Sequence, residues 1–89
     1  MTSQMEFEFY KRVGEALTRE RTRRKLTITA VAKMAGDQFI TVKRIEEGHR
    51  FSFHHAYWLV ELFGIDVTAI ARELKGEARN GTAKVEDFI

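Results

Sequence analysis

The chain has no cysteine. That excludes a disulfide frame, a thiol nucleophile and any zinc site built on thiolates. No apolar run approaches the roughly 18 residues that a membrane-spanning helix needs, and the opening MTSQMEFEFY is acidic, unlike a signal peptide. A glycine-rich phosphate loop, a Ser/His/Asp arrangement and paired carboxylates suited to acid–base chemistry are also missing. His54 and His55 are adjacent, with His49 nearby, but no His-x-x-x-His occurs. Adjacent side chains on a helix point about 100° apart and make poor joint ligands. Neither a metal nor another cofactor is therefore expected, and the chain is not expected to be an enzyme. A cytoplasmic protein without a membrane segment is the expectation.

What remains is small and unevenly charged. Eighty-nine residues make one domain, and a 44% apolar share supports a modest core that oligomerisation would help. Residues 11–50 hold eleven Lys/Arg against five acids, a net +6, while residues 1–10 and 51–89 are each −2. A basic centre between acidic ends suits docking of a polyanion on one face. A solvated basic surface is the plainer alternative.

The stretch from Thr27 to Gly48, TITAVAKMAGDQFITVKRIEEG, reads as two short helices joined by a tight turn. Val31, Ala32 and Ala35 line one face of the first, and Val42 and Ile45 one face of the second. Gly36 sits between them, where a sharp turn at a helix end favours a residue without Cβ. The small residues Ala32 and Ala35 permit a close crossing. This is the pattern of a helix-turn-helix, whose usual use is to lay its second helix in the DNA major groove.

From Leu26 to Gly48 the chain resembles, without a gap, the Cro/repressor (XRE) family of helix-turn-helix proteins. The resemblance rests on Leu26-Thr27, Ala32, Gly36, Val42 and the closing Ile45-Glu46-Glu47-Gly48, with Arg21 placed five residues before the Leu. With Leu59 to Gly64 it extends over roughly residues 13–75. It implies an all-α, five-helix, lambda-repressor-like DNA-binding domain over residues 1–75, with the helix-turn-helix at helices two and three. It also implies a structural ion pair between Arg21 and Glu46, a double-stranded DNA operator as partner, and a homodimer. The expected role is that of a transcriptional regulator, a repressor in particular, associated with the nucleoid. The alternative is a protein-interaction module on the same fold, such as an antitoxin or antirepressor.

The helices are expected at about Gln4–Arg23, Ile28–Ala35, Gln38–Glu47, Phe53–Phe63 and Val67–Lys75, with Ser3, Thr27, Ser52 and Asp66 as N-caps. Gln38, Phe39, Ile40, Thr41, Lys43 and Arg44 are the candidates for contacts with bases or phosphates. Arg44 is the strongest base reader, because a guanidinium fits the O6/N7 edge of guanine. Thr27 and Lys33 are candidates for the backbone at the start and outer face of the second helix, as are His49, Arg50 and Ser52 in the loop after the third. Two positions depart from the family. Ile28 replaces a frequent Gln, and Asp37 replaces an aliphatic, so that either Phe39 or Ile40 is a candidate to fill the vacated core position. Residues 76–89 are expected to be a flexible linker ending in the apolar tail Val85–Ile89. That tail and the N-terminal aromatics Phe7, Phe9 and Tyr10 are candidate contacts for a protein partner.

Overall fold

The computed structural model describes residues 4–79, which form five α-helices and no strand: α1 (Gln4–Arg23), α2 (Ile28–Ala35), α3 (Phe39–Glu46), α4 (Phe53–Phe63) and α5 (Val67–Arg79). None is long and apolar enough to cross a membrane. Each helix contributes to one core because each carries an apolar stripe at helical spacing. Val13 and Leu17 of α1, Val31 of α2, Val42 and Ile45 of α3, and Leu59 of α4 are almost completely shielded from solvent. Ala16, Ala32, Trp58, Phe63 and Ile65 complete the cluster. A buried aliphatic of this kind contributes about 1.5–3 kcal/mol over an exposed one, so the α2–α3 unit is held chiefly by what α1 and α4 place beneath it.

The turns between helices follow one hydrogen-bonding scheme. At the end of α2, Gly36 adopts the left-handed conformation (φ 66°), its N–H reaches Lys33 O, and the Asp37 N–H reaches Ala32 O. That satisfies carbonyls left open at the helix end. The end of α1 uses the same pattern, with Leu26 N–H on Arg21 O, but Lys25 holds the left-handed position at φ 57°. A side chain is strained there.

Three helix ends differ from expectation, the least of them Glu47, which caps α3 instead of closing it. Gln38 is extended (φ −97°, ψ 152°), so it precedes α3 as its N-cap rather than joining it. Helix α5 continues past Lys75 through Gly76 to Arg79, into the expected linker. The reason is an ion pair that sequence spacing does not reveal. Arg12 of α1 clasps both carboxylate oxygens of Glu77, at 2.5 and 2.8 Å, and ties the last turns of α5 to α1. The expected Ser3 cap and the tail Val85–Ile89 lie outside the described residues.

A glycine inside α1 sets how closely α1 meets α3. A Cβ on Gly14 would collide with the carbonyl oxygen of Ile45 and come within 2.8 Å of that of Glu46. Bare backbone on α1 therefore seats the C-terminal end of α3.

Candidate nucleic-acid interface

Helix α3 divides cleanly. Val42 and Ile45 face the core, while Gln38, Phe39, Ile40, Lys43 and Arg44 are exposed, and Thr41 is half-buried at the border. Phe39 and Ile40 retain 50% and 43% of their surface. Neither fills the core position that Asp37 vacates, so of the two readings open for this pair the buried one does not hold. Lys33 on α2, together with Lys43 and Arg44, makes no ion pair among the described residues. All three are exposed, and no carboxylate among the described residues neutralises them.

The end of α3 is locked by a carboxylate. Arg21 donates from Nε to Glu46 Oε2 at 2.6 Å and from Nη2 to Oε1 at 3.0 Å, and from Nη1 to the Leu26 carbonyl at 3.0 Å. The Thr18 hydroxyl lies 2.9 Å from Glu46 Oε1 as well. The Glu46 side chain is 9% exposed and that of Arg21 is 20%. Its hydrogen bonds to Glu46, against the cost of burial, raise the already high pKa of the Arg21 guanidinium. Planar, two-point pairing of this type fixes orientation as well as distance, so α1 sets the angle at which α3 presents its outer face.

The start of α3 is held differently. Asp37 Oδ1 accepts from the Gln38 N–H at 3.0 Å, while Oδ2 lies 3.2 Å from His55 Nε2 and 3.4 Å from Trp58 Nε1. Burial alone would raise the Asp37 carboxyl. These hydrogen bonds, the nearby His55 and a further bond from Thr41 outweigh it and hold the pKa below the usual carboxylate value. Asp37 is thus a polar tie from the turn to α4.

The expectation that His54 and His55 diverge is also corrected. His54 folds back beside Ser52, the two rings lie 3.9 Å apart, and the His54 Nε2 is 3.8 Å from Asp37 Oδ2. The ligating atoms of Asp37, His54 and His55 lie within 4.8 Å of one another, close enough to hold a metal ion after small adjustments. However, the Ser52 N–H donates to His55 Nδ1 at 3.0 Å. That places the proton of neutral His55 on Nε2, facing Asp37. Coordination through Nε2 would require that proton to move and the cap of α4 to be given up. As built, the cluster is a hydrogen-bonded strut.

The loop after α3 brings His49, Arg50 and Ser52 to the surface. Phe51 anchors it, with its ring 5.0 Å from Tyr10 and 6.2 Å from Phe9. Two of the N-terminal aromatics are therefore engaged within the chain, and Phe7 alone of the three is exposed. Arg50 lies 2.8 Å from Glu6, so α1 competes with any outside anion for it. Thr27 accepts from the Ala30 N–H at 3.0 Å and caps α2. Ile28 packs against the core.

Gly14 and the His55–Asp37–Trp58 tie are absent from the sequence-based expectations. A lone glycine within an otherwise regular helical pattern permits a close backbone approach without requiring one; Gly14 uses it, whereas a Cβ on Gly76 inside α5 would meet nothing within 4 Å. The tie had no sequence signal, because its members are 21 residues apart and meet only in three dimensions. No protein-family model matches the chain, and no curated protein or solved structure is significantly similar to it.

Proposed function

We propose that this chain is a sequence-specific, double-stranded DNA-binding regulator, a repressor of the Cro/repressor type, in which α2 and α3 form a helix-turn-helix. The observation that carries the reading is the outer face of α3. Lys43 and Arg44, with Gln38 at the N-cap, are exposed on a helix whose other side is fastened at both ends, by Arg21–Glu46 and by Asp37. A helix fastened in this way, with exposed cations and hydrogen-bond donors outward, suits entry into a major groove. In this reading Arg44 reads a base, and Lys33, Lys43 and Arg50 meet phosphates, as do the His49 and Ser52 side chains and the helix start at Thr27. Phe39 and Ile40 lie against thymine methyl groups. The protein acts at the nucleoid as a homodimer on a palindromic operator and catalyses nothing.

Selection from a random duplex pool at two salt concentrations tests this. Enrichment of one palindromic motif, with affinity falling steeply as salt rises, is the expected outcome. Arg44→Ala should then weaken binding to that motif by about 1–3 kcal/mol and relax preference at one base position. Loss of equal size on random duplex would instead assign Arg44 to a phosphate. The exposed Phe39 and Ile40 favour one rival, a protein-binding surface on the same helix. Absence of any duplex binding at low salt would select it.

A further inference from the structure

Helix α4 carries a second exposed face, on the side away from the core. Phe53, Tyr57 and Val60 retain 89%, 65% and 43% of their surface. At spacings of four and three residues they form one stripe along the helix, continued by Gly64 at its end. Met34 of α2 is also exposed and borders the same groove as Tyr57. Nothing in the fold requires these residues to be apolar, since Trp58, Leu59 and Phe63 already supply the inner side of α4.

We infer that this stripe is the contact between two copies of the chain, packed α4 against α4 in antiparallel fashion about a two-fold axis near Tyr57. Three features favour a second copy. The stripe is complementary to itself. With Tyr57 at the axis, bulky Phe53 faces the smaller end of the partner's helix, the partner's Val60 and the partner's Gly64. The flank is complementary as well. His54 and Glu61 lie on the same edge of the stripe, and antiparallel pairing sets His54 opposite the partner's Glu61, an imidazole against a carboxylate. The area is that of a weak contact. A large aromatic buries about 150–250 Å², so Phe53, Tyr57, Val60 and Met34 together offer roughly 450 Å². Two copies then approach the ~1,000 Å² at which specific interfaces begin, before the flanking residues are counted. The contact itself is independent of DNA. Only its consequence, that two α3 helices are related by a two-fold and read a palindrome, rests on the function proposed above.

Light scattering on the full chain at about 100 μM, above the micromolar Kd typical of a weak interface of this size, tests the inference without DNA. The expected mass is twice 10.4 kDa. Tyr57→Glu and Phe53→Ser, both at exposed positions, should each give the monomer with unchanged helical circular dichroism. A monomeric wild-type chain overturns the inference; if removal of residues 80–89 then produced a dimer, the stripe would belong to the chain's own tail. Dimers that survive both substitutions also overturn it and move the contact elsewhere. Because mass is read without DNA, failure here leaves the operator selection to be judged separately.

Discussion

Replacing Glu46 by Ala removes the one carboxylate that satisfies Arg21 on two sides. Among the described residues the guanidinium then keeps one acceptor, the Leu26 carbonyl, in a site that leaves it 20% exposed. Breaking a buried ion pair by removing one partner costs about 3–5 kcal/mol. Residual access to water lowers that figure here, because the stranded charge is partly solvated, and a cost of about 2–4 kcal/mol follows. For a domain of this size each kcal/mol moves the midpoint by about 4–8 °C, so thermal melts should show Glu46→Ala unfolding roughly 10–25 °C below the wild type. A double-mutant cycle with Arg21→Ala isolates the pair, with an expected coupling of about 1.5 kcal/mol or more. Glu46→Gln, which keeps acceptor and shape but not charge, should fall between. A Glu46→Ala midpoint within about 2 °C of wild type, or costs that simply add in the cycle, would refute the argument that this pair locks α3 onto α1.

Two further outcomes follow from other contacts. Gly14→Ala should destabilise by about 1–3 kcal/mol through collision with the Ile45 and Glu46 carbonyls, despite the roughly 0.5–1 kcal/mol that Ala gains in a helix interior; a higher melting temperature would show that α1 and α3 separate easily. Burial, with repulsion from His54, holds the His55 imidazole below its ordinary pKa against the pull of Asp37. The unfolded chain therefore takes up a proton that the folded chain resists as pH drops below about 6.5. The stability contributed by this group is present above that pH and lost on acidification, and that of the depressed Asp37 carboxyl is lost at still lower pH. Melting temperature should fall from pH 7 to pH 5, and His55→Gln should flatten the slope; a slope that survives the substitution would assign it to other groups.

Helix positions were largely legible in the sequence because they depend on local chemistry. Met5, Phe9, Val13 and Leu17 recur every four residues, and Thr27, Gly36 and Gly64 are residue types that begin or end helices for reasons confined to a few bonds. The inward faces of α2 and α3 could be read the same way. Where the sequence misled, the deciding partner was remote. On the sequence alone, Asp37 is a polar residue in an apolar position, and Phe39 or Ile40 is the neighbour available to fill it. His55 and Trp58, from a different helix, instead supply donors that make a carboxylate tolerable there.

The sequence alone determined that this is an all-helical chain with a basic centre, and it named the residues on the outer side of α3. Tertiary structure decided which charges are already spent and which surfaces remain open. Arg12 is committed to Glu77 and Arg21 to Glu46, while Lys33, Lys43 and Arg44 pair with no carboxylate among the described residues. Phe51 is held by Phe9 and Tyr10, while Phe53, two residues later, stands almost fully in solvent. The physical reason is the same in each case. Helix formation is governed by neighbours in the chain, whereas ion pairing and burial depend on which distant side chain happens to arrive, and periodicity carries no record of that.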